Sequence, residues 1–157
     1  MTLNEIEVTK INGAPLKLSE LAGSVVLFVN VASRCGFTPQ YAGLEALHRE
    51  LSPKGLVVVG VPANEFGAQE PGSNDEIESF CGTKYNVTFT MLAKQVVKGG
   101  DISALYQWLT TGASPSGDVQ WNFEKFVVNR EGQIVGRFRS NVTPESRELR
   151  DCIVNVL

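Results

Sequence analysis

The stretch Val25-Val26-Leu27-Phe28-Val29-Asn30-Val31-Ala32-Ser33-Arg34-Cys35-Gly36-Phe37-Thr38-Pro39 decides how this chain is read. Its first seven residues form a continuous β-branched and apolar run. The run is too short for a typical helix and is of the kind that makes a central strand covered on both faces. Thr38-Pro39 then offers an N-cap and a proline at the first helical position, and Leu44, Leu47, His48 and Leu51 fall on one stripe of an amphipathic helix. Cys35 is thus expected in the turn between a buried strand and a helix N-terminus.

Working outward, Pro53-Lys54-Gly55 breaks that helix, and Leu56-Val57-Val58-Val59-Gly60-Val61 supplies a second buried strand. Strand, helix and strand form a unit expected to be parallel and right-handed. Upstream, residues 6–18 alternate around Asn12-Gly13, the signal of a β-hairpin with a tight turn, and residues 18–23 read as one helical turn. Downstream, residues 64–72 are loop. Ser73 and Glu76 form a capping box over a short helix expected to end near Cys81, with Gly82 as the stop. Residues 102–109 carry another helical pattern. Residues 124–129 and 134–138 flank Arg130-Glu131-Gly132-Gln133 as an antiparallel hairpin, and Thr143-Pro144 is expected to start a last helix bearing Leu149, Cys152, Ile153, Val156 and Leu157 on its apolar face. The expected class is α/β: a thioredoxin-like fold, with a central mixed β-sheet flanked by helices and an N-terminal β-hairpin, forming a single domain over residues 1–157.

Composition agrees with one core. With 157 residues, 43% hydrophobic and 20% charged, the chain exceeds the size at which disulfide or metal staples become necessary. A formal charge of −3 and the absence of like-charge runs argue against a nucleic-acid partner. The N-terminus lacks the features of a secretory signal, and no apolar stretch approaches the roughly 20 residues that span a bilayer. No membrane anchor is expected, and a cytoplasmic location is. Three cysteines, Cys35, Cys81 and Cys152, are odd in number and widely spaced, unlike a secreted disulfide framework. One histidine and no close cysteine pair leave a structural zinc site unsupported. Neither a phosphate-binding glycine loop nor a Gly-x-Ser-x-Gly elbow occurs, and no cofactor is expected.

Chemistry is therefore sought at Cys35. A helix N-terminus carries partial positive charge and free backbone N–H groups, so a thiol placed there becomes a nucleophilic thiolate more readily than one in free solution, and Arg34 beside it pushes the same way. The bland alternative is a buried cysteine acting as a small hydrophobe. Cys35-Gly36-Phe37-Thr38 has the spacing of a Cys-x-x-Cys motif with threonine at the second position, which removes ordinary dithiol exchange. Attack on a peroxide oxygen, giving sulfenic acid and an alcohol, is one reaction open to a single thiol, and a second thiol can condense with the product.

Three blocks, residues 30–41, 64–74 and 121–126, resemble in order the signature blocks of the glutathione peroxidase family, and the resemblance covers essentially the whole chain. It implies a catalytic tetrad of Cys35, Gln69, Trp121 and Asn122. Two amides and an indole N–H are neutral donors able to hold a thiolate, orient a hydroperoxide substrate and stabilise a leaving alkoxide. Taken singly, Gln69 would cap a loop, Trp121 would be core and Asn122 a turn residue. Cys81 matches the resolving cysteine of the thioredoxin-dependent members, placed on a helix end whose fraying would bring it to Cys35; the alternative is a half-buried helical cysteine without redox role. Ala63 stands where many relatives carry another cysteine.

The implied reaction is reduction of hydrogen peroxide and organic hydroperoxides through a Cys35 sulfenic acid, resolved by Cys81 and regenerated by thioredoxin. A one-cysteine enzyme served by glutathione is the alternative, and so is a redox-sensing interaction protein switched by a Cys35–Cys81 bond; a non-enzymatic binding module is disfavoured by the complete tetrad. Cysteine at the reactive position sets the chain apart from selenium-containing members. A short segment between residues 96 and 121 implies a monomer or weak dimer. Cys152 and His48 read as packing residues.

Overall fold

The structure, a computed structural model, describes residues 1–157. Strand β3, Val25–Val31, is buried at every position and lies in the middle of a five-stranded sheet. It pairs in parallel with β4, Leu56–Pro62, and antiparallel with β6, Lys125–Val128. A two-residue strand β5, Thr90–Met91, extends the sheet beyond β4, and β7, Ile134–Phe138, beyond β6, giving the order β5-β4-β3-β6-β7. The separate pair β1, Glu7–Thr9, and β2, Pro15–Lys17, is the N-terminal hairpin.

Alternation along β3 sends its side chains into two cores. Val25, Leu27, Val29 and Val31 join a cluster covered by α1, Gln40–Leu51, α2, Asn74–Tyr85, and α4, Arg147–Val154. Val26 and Phe28 face a second cluster with Leu105, Tyr106 and Leu109 of α3, Ala104–Gly112. A strand apolar on both faces requires cover on both, and this mixed sheet flanked by helices is the thioredoxin-like arrangement. No helix is long and apolar enough to cross a membrane.

The N-terminal hairpin turns around Asn12-Gly13 as expected: the N–H of Gly13, whose φ is 91°, donates to the Lys10 carbonyl at 2.9 Å, the Lys10 N–H donates to the Ala14 carbonyl at 2.8 Å, and Asn12 Oδ1 accepts the Ala14 N–H at 3.0 Å. Three other local expectations change. Helix α2 runs through Cys81 and Gly82 to Tyr85 and is closed by Asn86 at φ 51°, ψ 44°, a left-handed cap. Cys81 is therefore buried inside a helix, not in a frayed end. Thr143-Pro144 makes a turn, and Ser146, accepting the Leu149 N–H, caps α4. Helix α1 begins at Gln40 after a series of tight turns, and Thr38 does not cap it.

Lys125 of β6 is fully buried, its Nζ donating to Gln40 Oε1 at 2.6 Å and to the Ser140 carbonyl at 3.1 Å. It ties the sheet to the start of α1 and to the segment before α4. Burial pushes the ammonium down to about 7, against the opposing pull of Glu124 and Glu145, and a neutral amine still has the two N–H donors these acceptors need. Because the unfolded side chain holds its proton up to about pH 10.4, the unfolded state binds more protons above pH 7, and stability rises with pH across that window. Urea unfolding at pH 7 and pH 9 should show the wild type gaining on Lys125→Met at the higher pH; an unchanged difference would refute a depressed lysine.

Candidate active site

Residues 33–38 form a turn stapled from within. Thr38 Oγ1 accepts the Cys35 N–H at 2.9 Å and donates to the Ala32 carbonyl at 2.8 Å. The threonine expected to cap α1 thus locks the cysteine turn instead. Cys35 is 8% exposed, and its Sγ accepts the Phe37 N–H at 3.3 Å. Arg34 points its side chain to solvent, while its N–H donates to the Gln69 carbonyl at 3.0 Å. That bond fastens the cysteine turn to the loop that carries Gln69.

The third segment is held by β3. Asn30 Nδ2 donates to the Trp121 carbonyl at 3.0 Å, and Asn30 Oδ1 accepts the Glu124 N–H at 3.1 Å. The Phe123 N–H donates to the Asn30 carbonyl at 2.6 Å. Phe123 adopts φ 64°, a left-handed conformation costing a bulky residue about 1–3 kcal/mol. Asn122, fully buried beside it, donates from Nδ2 to Gln69 Oε1 at 3.0 Å and to the Phe66 carbonyl at 3.3 Å. Both its donors are committed, so Asn122 fixes the oxygen end of Gln69 and leaves Gln69 Nε2 as the directional donor.

Trp121 is 36% exposed and is not the core residue that the bland alternative would make it. Its ring packs on Phe66 at 5.9 Å between centroids, and the Lys98 Nζ lies 5.9 Å over the same Phe66 ring. Gly67, at φ 70°, makes the approach possible: a Cβ there would stand 3.1 Å from Trp121 Cη2 and 3.4 Å from Gln69 Nε2. Gln69, Trp121 and Asn122 are thus brought together, and Cys35 is tied to them through Arg34.

Cys81 shares an apolar cluster with Cys35, and both thiols are free. Burial pushes the Cys81 thiol up to about 11, with the Tyr41 hydroxyl beside it pulling down and the Glu70 charge pushing further up. Cys152 packs at the edge of the core, its Sγ 3.9 Å from the Val135 carbonyl. His48 stacks edge-on to Phe89. No three His, Cys, Asp or Glu side chains are grouped as metal ligands would be.

Sequence reasoning gave no role to Asn30, Thr38 beyond capping, or Glu124. Asn30 had a signal, as the one polar residue in an apolar strand. Glu124 is fully buried and pairs with Arg137 at 2.6 Å and Arg139 at 2.9 Å while accepting the Gln120 N–H.

The glutathione peroxidase family model matches residues 3–110. A hydroperoxy fatty acid reductase, Gpx2, of Synechocystis is 50% identical over 150 residues, covering 96% of each chain. The glutathione peroxidase-like peroxiredoxin gpx1 of Schizosaccharomyces pombe is 49% identical over 139 residues, covering 87% of this chain and 88% of that protein. The crystal structure of Trgpx in its apo form superposes with a TM-score of 0.80 at 33% identity, covering 99% of this chain and 95% of the other. The chain belongs to the glutathione peroxidase family. It is a thiol peroxidase, reducing hydroperoxides.

Glu124→Ala strands the guanidinium of Arg137, whose side chain is 1% exposed, without its partner. Losing one member of a buried ion pair costs about 3–5 kcal/mol. Chemical denaturation should read a loss in that range, and a change below about 1 kcal/mol would contradict the pairing.

Proposed function

We propose that Cys35 is the peroxidatic nucleophile and that Gln69, Trp121 and Asn122 serve it. The thiolate attacks the terminal oxygen of a hydroperoxide, the O–O bond breaks, and water or an alcohol leaves as Cys35 becomes a sulfenic acid. Gln69 Nε2 and the indole N–H supply donors to the charge that moves from sulfur to the leaving oxygen, and Asn122 acts by holding Gln69. The observation that carries this reading is the single hydrogen-bonded unit running from the Cys35 turn through Arg34 and Gln69 to Asn122. An exposed indole over an apolar floor suits organic hydroperoxides as well as hydrogen peroxide. The fatty-acid hydroperoxide named for the Synechocystis relative is within that class.

Cys81 then condenses with the sulfenic acid, and thioredoxin restores both thiols; the peroxiredoxin name of the fission-yeast relative supports a thiol-protein donor over glutathione. Because Cys81 lies within α2 and its carbonyl accepts the capping N–H groups of Asn86 and Val87, joining the sulfurs draws on local opening of the last turns of that helix. Residues 1–157 act as one domain, as a monomer or weak dimer. Three free thiols suit a reducing compartment such as the cytoplasm.

One equivalent of hydrogen peroxide followed by non-reducing digestion and mass spectrometry should yield a Cys35–Cys81 peptide from the wild type and a Cys35 sulfenic acid from Cys81→Ser. A Cys35 oxidised but never joined to Cys81 would favour the glutathione-served one-cysteine cycle; an unreacted Cys35 would remove the assignment.

Gln69→Ala and Asn122→Ala should each slow Cys35 oxidation by about 10²–10³, the range for losing one transition-state donor. If Asn122 works through Gln69, the double variant should be little worse than either alone. Multiplying losses would return Asn122 to a direct role.

A further inference from the structure

The segment that follows α2 is fastened from another helix, by a carboxylate with no part in the peroxide chemistry. Glu45 of α1 is 5% exposed; its Oε1 accepts the Thr88 N–H at 2.8 Å, and its Oε2 accepts the Thr88 hydroxyl. Arg49, one turn further along α1, donates from Nε to the same Oε2 at 2.6 Å and from Nη2 to the Asn86 carbonyl at 3.4 Å. Burial pushes the Glu45 carboxyl up, but the bonds from Thr88 and Arg49 outweigh it and hold the group below its ordinary range. Hydrogen bonds to such an ionised group are about twice as strong as those between neutral ones.

These contacts bear on Cys81 through Asn86 and Val87. Both of their N–H groups donate to the Cys81 carbonyl, that of Val87 at 3.2 Å, and so close the turn of α2 in which the thiol is 2% exposed. Asn86 and Thr88, on either side of Val87, are the residues that α1 holds. The helix that starts just after the Cys35 turn thus also secures the cap that closes over Cys81.

Opening that turn works against Glu45 by either route. If residues 86–88 swing away with the opened turn, both bonds from Thr88 to the carboxylate are lost. If they stay on α1, the loosened chain remains tethered at Thr88 and gains less conformational entropy by opening. Either way the closed helix is favoured, and a sulfenic acid on Cys35 waits longer for its partner. The delay has a chemical consequence, because a second hydroperoxide competes with Cys81 and carries the sulfenic acid on to sulfinic acid, from which thiols do not recover it.

We infer that Glu45, acting through Thr88, is a positioning residue that sets the rate of the resolving step and with it the exposure of Cys35 to over-oxidation. This rests on the reading of Cys81 as the resolving thiol. In the resolving route the Cys81 sulfur bonds to the Cys35 sulfur, the Cys35 S–O bond breaks, and the Cys81 proton leaves with the hydroxyl as water; Cys81 is oxidised to the disulfide as the sulfenic sulfur is reduced to it. In the competing route the sulfenic sulfur takes an oxygen from a second hydroperoxide, whose O–O bond breaks, and water or an alcohol leaves. Glu45 supplies no atom to either route. It governs how often Cys81 is free to compete.

Rapid mixing with hydrogen peroxide separates the two chemical steps. Glu45→Ala should form the sulfenic acid within about twofold of the wild-type rate but form the disulfide about tenfold faster, the factor for losing one hydrogen bond to a charged group. After excess peroxide it should also carry less Cys35 sulfinic acid by mass spectrometry. Glu45→Gln, which keeps an oxygen for the Thr88 N–H, should fall between. In the reduced enzyme the amides of Asn86 and Val87 should exchange about tenfold faster in Glu45→Ala, with that of Ile77, near the start of α2, unchanged; equal acceleration along the whole helix would mean general loosening and overturn the inference. Against the chance that Glu45→Ala misfolds, Thr88→Val removes the hydroxyl bond alone and should speed the disulfide about threefold. An unchanged or slower disulfide in these variants would overturn the inference while leaving Cys81 as the resolving thiol. A wild type that never forms the bond would overturn both.

Discussion

Asn30 places an amide where the rest of β3 is apolar, and the active-site geometry follows from how that amide is satisfied. Its two side-chain ends and its carbonyl meet three backbone groups of residues 121–124. A fully buried amide is tolerable only when its donors and acceptors are paired. Pairing them all with one segment fixes that segment against the central strand. Phe123 is held in its left-handed conformation, Trp121 and Asn122 are delivered to the Gln69 loop, and Glu124 is turned inward to Arg137 and Arg139. An apolar residue at position 30 would satisfy the strand and leave the segment without its anchor.

The molecule divides into a part tied together by hydrogen bonds and a part that rests on the core by packing. The cysteine turn, the Gln69 loop and residues 121–124 are joined by short hydrogen bonds to the middle of the sheet. Helix α2 is different: it rests on the core through Ile77 and Cys81, with most of its remaining surface open to solvent. Precise placement for peroxide attack and mobility for thiol exchange are opposed demands, and in the proposed cycle they would fall on different elements.

Much of this was legible in the sequence because it rests on local pattern. The uniform apolar run of β3, the strand-helix-strand unit, the Ser73–Glu76 capping box and the β6–β7 hairpin each announce themselves over a few residues. The three motif blocks singled out Gln69, Trp121 and Asn122, which the structure brings together. What escaped depends on partners distant along the chain. Thr38 reads as a cap because threonine before proline usually is one, yet its hydroxyl finds Ala32 and Cys35 nearer. Gly82 reads as a helix stop, but Asn86 takes the left-handed position and Gly82 stays helical and exposed. The two residues of β5 are too short to carry any period, and the commitment of the Asn122 amide to Gln69 is visible only once residues 53 positions apart meet.

Gly67 narrows the routes by which this sequence can drift. A side chain there would need a left-handed backbone, would crowd the Trp121 indole and would lie against the Gln69 amide, so a single replacement bears on two side chains that are far apart in the sequence. Compensation would require simultaneous change at both, which stepwise substitution rarely supplies. The neighbouring Ala68, also left-handed at φ 51°, already carries a strained methyl group, leaving little slack for a second. In a library of random variants selected for peroxide tolerance, this loop should act as a near-silent stretch, its diversity collapsed to one residue at its centre while the exposed positions around it vary freely.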